Sequence, residues 1–302
     1  MRGSFLRAAA AMAVAASWPA IAAAPQAPTA AQLMALAFPG WSDAARLQPL
    51  TLPETAAHGV YAGWQAGANR ALAEPMLVLR SDASHLTLVA GLVPAGADGR
   101  SAAAHLTPMA LAAYQFEQHG GAWTLAARQG VFALRGFSGA AKVAAVALSN
   151  RHQGLAVEYG SCWQGYCGTW MTLYEVEQDK VRREPLVELA LSGINVNSAL
   201  DCGRRLQPLI KPPPQDTALH EDAEGTPPGS HDCYAIESSW SIGYTHGHTH
   251  GQPGDLAIHY HGAISRAEAH AAAPVAVDQR QVLRYDSGRY RAVSGFNPVP
   301  PI

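Results

Sequence analysis

Five histidines fall within sixteen positions of this chain: His246, His248, His250, His259 and His261. Neutral imidazole is a preferred ligand for Zn, Cu and Ni. His259 and His261 are separated by one residue, and on a strand that spacing sends both rings to the same side. The other three stand among Gly247, Gly251, Pro253 and Gly254, which read as a loop. Before the loop, Tyr234, Ile236, Trp240, Ile242 and Tyr244 alternate as one buried strand face. After it, Leu256, Ile258, Tyr260 and Ile264 do the same. The opposite face of the first strand then sets Glu237, Ser239 and Ser241 against His259 and His261. Two strand histidines and one folded-back loop histidine would make a three-ligand site. Glu237 would serve as a fourth ligand or as the acceptor that fixes a ring tautomer. Such a set would make the chain a metal-binding protein or a metal-dependent enzyme. Equally, the loop histidines could form a polar turn, with His259 and His261 on a half-exposed hairpin.

Cysteine chemistry is the second candidate. Cys162, Cys167, Cys202 and Cys233 are even in number, and their spacing contains no C-x-x-C pair. The expected pairing is Cys162 with Cys167 across a hairpin tip at Gly165, leaving Cys202 to pair with Cys233 around a proline-rich stretch. Trp163, Tyr166 and Trp170 cluster on the first of these clipped loops. Aromatic rings on a rigid loop bring large contact area at low entropic cost, so they suit recognition of a protein or small molecule, or insertion into a hydrolase as an inhibitor. They could also simply pack over the bridge and the core edge.

Other catalytic patterns are missing. Gly136, Phe137, Ser138 and Gly139 do not make G-x-S-x-G. His220 and Glu221 lie in a proline-rich segment rather than on a metal-binding helix, and no phosphate-binding glycine loop is present. Glu158, Glu175 and Glu177 could supply a carboxylate pair, but Glu175 and Glu177 share one strand face and are expected to be solvated.

The elements that must position these groups follow from composition and pattern. Of 302 residues, 48% are hydrophobic and 15% charged, which excludes a disordered chain. The formal net charge of −2 gives no electrostatic footprint for nucleic acid. Residues 1–23 read as an export signal: Arg2 and Arg7, then an alanine-rich apolar run over 8–16, then small residues that place cleavage after Ala22 or Ala23. That run falls short of the ~20 apolar residues a membrane span needs. The mature protein is therefore expected to be soluble, in the periplasm or outside the cell, where the cysteines would oxidise.

Residues 24–75 read as a leader with a short helix over 29–37, its apolar face made by Leu33, Met34, Leu36 and Ala37. Residues 62–73 are a second helix candidate. From residue 76 to 302 the pattern changes to strands. Hairpin signatures occur at 76–90, 114–126, 173–183 and 282–293, with further strands at 143–148, 155–159, 169–173 and 186–191. Residues 207–229, rich in proline, form an exposed excursion. The expected fold is all-β, an antiparallel meander of hairpins built as a distorted propeller or a β-sandwich, preceded by a short helical segment. The expected function is a non-catalytic binding or structural module.

Overall fold

The computed structural model describes residues 27–49, 64, 70–163, 165–195, 202–207, 209–210, 232–243, 251–266 and 273–301. Residues 1–23, expected to be an export signal, most of the expected excursion over 207–229, and His246, His248 and His250 lie outside the described residues.

Helix α1 (Ala30–Ala37) opens with a capping box. Thr29 Oγ1 accepts from the Gln32 backbone N–H, and the Gln32 side chain accepts from that of Thr29. It ends at Phe38, because a residue before proline avoids helical backbone. Leu33, Met34 and Ala37 are buried as expected, but Leu36 faces solvent.

Strands β1 (Leu47–Pro49), β2 (Arg70–Arg80), β3 (His85–Pro94), β4 (Met109–His119) and β5 (Ala122–Arg135) form an antiparallel sheet in sequence order. Strand β2 begins six residues before the expected strand at Met76, so residues 70–73 are strand rather than helix. Register shifts between Pro75 and Leu77, and at three places between β4 and β5, bend this sheet into a half-barrel. Small residues on its concave face, including Ala71, Ala73, Ala90, Ala110 and Ala112, leave room for α1 to pack closely.

Strands β3 and β4 are buried on both faces. Leu86, Leu88 and Leu92 of β3 pack toward α1, as do Tyr114 and Phe116 of β4. Val89 of β3 and Met109, Leu111 and Ala113 of β4 point the other way, against Leu155, Val157, Tyr174 and Val181. That second cluster joins the half-barrel to the other sheet.

The other sheet has nine antiparallel strands: β6 (Lys142–Ala147), β7 (Gln153–Trp163), β8 (Tyr166–Glu177), β9 (Lys180–Val181), β10 (Val187–Asn195), β11 (Cys233–Gly243), β12 (Asp255–Ser265), β13 (Val275–Asp286) and β14 (Arg289–Ser294). They run β14-β13-β12-β11-β10-β8-β7-β6, with β9 on β8. This sheet rolls on itself. Trp240 Nε1 donates to Glu158 Oε1 at 2.9 Å, although β8 and β10 separate their strands. The Tyr290 N–H donates to the Leu186 carbonyl at 2.8 Å. Met171, Leu173, Ile236, Leu256, Ile258, Tyr260 and Leu283 fill the roll. Helix α2 (Cys202–Leu206) is fastened to β11 by the Cys202–Cys233 disulfide.

All four expected hairpins form, as β2–β3, β4–β5, β8–β9 and β13–β14. The architecture is two antiparallel sheets joined face to face, and the described residues contain no radial array of propeller blades.

Candidate recognition surface

Strands β7 and β8 pair along their whole length, with Tyr159 opposite Trp170, Cys162 opposite Cys167 and Trp163 opposite Tyr166. Both cysteine pairs form as expected, Cys162–Cys167 and Cys202–Cys233. Gly165 takes φ +85° at the tip, which suits a residue without a β-carbon.

The clipped tip carries an array of rings. Trp163 lies 4.9 Å from His105 between ring centroids, and His105 lies 6.1 Å from Phe137. Phe137 lies 5.6 Å from Trp170, and Tyr159 stacks on Trp170 at 6.0 Å with 20° between planes. Trp163 is nevertheless 61% exposed, and neighbouring Leu106 is 60% exposed. His105 hydrogen-bonds with Ser161 Oγ at 3.0 Å, so the ring against Trp163 is held from β7.

Two sheets contribute. Tyr159, Trp163 and Trp170 come from β7 and β8. Phe137 and His105 come from the half-barrel's loops, where the Ser138 and Gly139 N–H groups donate to the carbonyls of His105 and Thr107. Tyr166 makes no ring contact among the described residues and instead lies near Tyr234, whose phenol is raised by burial first and by Tyr166 second.

Polar groups edge the array. Tyr159 Oη donates to Glu188 Oε1 at 3.0 Å, and Arg135 Nη2 donates to Glu188 Oε2 at 3.1 Å. Arg135 Nε also donates to Thr172 Oγ1. Burial, partly opposed by the Thr172 hydrogen bond, pushes the Tyr159 phenol up to about 12, so it stays a neutral donor.

The expected histidine face also forms. Glu237 pairs with His261, and Ser239 with His259. The rings of His259 and His261 lie 6.2 Å apart, yet each addresses its own carboxylate: His259 Nε2 is 2.6 Å from Asp278 Oδ1, and His261 Nε2 is 3.9 Å from Glu237 Oε2. Among the described residues no group of three or more His, Cys, Asp or Glu is placed to hold a metal ion. This face shows two separate imidazole–carboxylate pairs.

Glu175 departs from expectation. It is buried, with His152 Nδ1 2.7 Å from its Oε1, while Glu177 is exposed. His105, Phe137 and Tyr159 were not singled out from sequence. Tyr159 shares strand parity with Trp163, so it could have been. His105 and Phe137 reach the array only through the docking of two sheets.

No family model, curated protein or solved structure matches the chain.

Proposed function

We propose that this protein is an exported, non-catalytic binding module that recognises a partner protein through the ring array at the β7–β8 tip. The observation that carries the proposal is Trp163, largely exposed yet held in place by His105. Exposed tryptophan normally loses side-chain freedom on binding. Here the disulfide and the ring contact have already restrained it, so association loses less entropy. Tryptophan, tyrosine and arginine are the residues most enriched at binding hot spots, and Trp163, Trp170, Tyr159 and Arg135 group here. Leu106, next to His105 in the chain, adds a second exposed apolar side chain, and Glu188 and Arg135 make a polar rim. The two disulfides fit an oxidising compartment, and no helix among the described residues is long and apolar enough to cross a membrane.

The test is a photo-reactive side chain at position 163, compared with one at the exposed Arg289 position, in cells that export the protein. A discrete adduct from position 163 that is lost when Trp170→Ala is added supports recognition here. Equal labelling from both positions refutes it. The mass of the exported protein checks cleavage after Ala22 or Ala23.

A further inference from the structure

At the far end of β7 and β8, ten strand rises or roughly 33 Å from Trp163, the two sheets leave a polar groove of about 580 Å³. One wall comes from the β2–β3 and β8–β9 turns and carries Arg80, Asp82 and Asp179. The other is the β6–β7 hairpin, with Arg151 and His152. The first wall is fixed. Ser81 Oγ donates to Asp179 Oδ1, and the Asp179 carbonyl accepts from Thr87 Oγ1 and Gln115 Nε2.

Behind His152 stands Glu175, its side chain 2% exposed. Its Oε1 takes the hydrogen bond from His152 Nδ1–H at 2.7 Å. Its Oε2 makes no hydrogen bond, and Arg182 Nη1 is 3.6 Å away. Among the described residues, Arg182 and His152 are the basic side chains that adjoin this withdrawn carboxyl group. Because Nδ1 is committed to Glu175, Nε2 is the nitrogen left over, and it has no hydrogen-bond partner among the described residues.

The acids of the opposite wall are already engaged: Asp82 with Ser84 and His85, and Asp179 with Ser81. Arg80 Nη1 donates to the carbonyls of Asp82 and Ala83. The Arg151 guanidinium has no hydrogen bond or ion pair among the described residues. Among the described residues, the Arg151 guanidinium and the His152 Nε2 thus stand without a partner on adjacent positions of one turn, and the uncharged side chains of Asn150, Gln153 and Gln178 line the groove beside them.

We infer that the groove binds a small ligand bearing a carboxylate or phosphate group, held by Arg151 and by Nε2–H of a His152 imidazolium whose other nitrogen is anchored by Glu175. Charge-assisted hydrogen bonds from two such donors are the strong kind. With Nδ1–H directed at Glu175, Nε2 donates to the anion only when the ring carries a second proton, so the fraction of His152 that is neutral takes one up on binding. The other charges around that ring are Glu175, Arg182, Arg151, Arg80, Asp82 and Asp179, and none of them supplies a second proton donor to the anion in its place except the arginines.

The test titrates inorganic phosphate, and separately acetate, into the full chain by calorimetry in two buffers of different ionisation enthalpy. The His152 nitrogens are followed by long-range 1H–15N NMR. Expected are saturable binding of at least one probe, proton uptake, and a shift at His152 Nε2. Phosphate alone saturating assigns a phosphate-bearing ligand, and acetate alone a carboxylate. Arg151→Ala, a surface change that leaves the Glu175 pair intact, should weaken binding about tenfold, whereas Arg289→Ala should not. His152→Gln should abolish proton uptake. No saturation by either probe up to about 50 mM, an affinity too weak to be useful, overturns the inference. So does native affinity in Arg151→Ala.

Discussion

Replacing Trp163 by alanine separates a recognition role from a structural one. Trp163 is 61% exposed, so about 40% of its surface is covered in the folded protein. Taking a tryptophan to expose about 250 Å² when free, that is about 100 Å² of buried area. At about 25 cal/mol per Å² the upper bound on lost stability is about 2.5 kcal/mol, and compactness of the unfolded chain brings it nearer 2. A fully buried ring sets the other end of the scale: Phe116, 1% exposed against α1, should cost about 3–5 kcal/mol as Phe116→Ala. Urea unfolding followed by far-ultraviolet circular dichroism measures both variants without depending on tryptophan fluorescence. Partner binding, by contrast, should fall by about 2 kcal/mol or more, roughly thirtyfold in Kd, if Trp163 is a hot spot. A loss of stability in Trp163→Ala equal to that in Phe116→Ala would show the ring array to be core, and the recognition proposal would fail.

Two further outcomes follow from the geometry. His85 should titrate above the ordinary histidine value because Asp82 holds its proton, and Asp82 sits at about 2, lowered first by the Ser84 N–H and then by His85. The sign of the linkage is that His85 contributes stability below its unfolded value of ~6.5, lost as pH rises through the raised folded value. Asp82 contributes above ~3.9, lost as pH falls toward about 2. In Asp82→Asn the His85 titration followed by NMR should move down, and an unmoved titration would show the pair to be inactive in solution. The disulfides should differ in weight. Cys202–Cys233 spans 31 positions and Cys162–Cys167 spans 5, so chain entropy assigns about 4 and about 2 kcal/mol. Calorimetric unfolding of the two paired Cys→Ala variants checks the order, and a larger loss at the hairpin tip would contradict it.

Local pattern carried the strands a long way. Alternation from Tyr234 to Ile242 and from Leu256 to Ile264 was enough to put Glu237 opposite His261 and Ser239 opposite His259, because a hairpin with one buried face has little freedom of register. The same logic failed at Glu175. Alternation assumes that one strand face meets water, but near this end of β8 the His152 turn and Arg182 cover the second face. Leu36 failed for the converse reason: the concave sheet meets only one side of a short helix. The curl of the nine-stranded sheet had no local signature. It shows only in contacts such as Trp240 with Glu158, 82 positions apart. The ring array was half legible. Trp163 and Trp170 lie in one short stretch, whereas His105 meets Ser161 across 56 positions.

Both candidate sites straddle the line where the half-barrel docks on the rolled sheet. At one end, Phe137 and His105 of the first sheet meet Tyr159, Trp163 and Trp170 of the second. At the other, Arg80 and Asp82 of the first sheet face Arg151 and His152 of the second. A site split between two layers keeps its geometry only if the layers cannot slide. The contacts between them meet that requirement. Phe132 meets Tyr174 edge-to-face at 5.6 Å, the Arg135 guanidinium lies over the Tyr174 ring at 5.9 Å, and Gln129 exchanges two hydrogen bonds with the Val181 backbone. Strand β8 links the ends directly. It carries Trp170 into the ring array, Tyr174 into the inter-sheet core and Glu175 behind the groove, within six consecutive positions. Packing of that one strand against the half-barrel therefore bears on the shape of both openings.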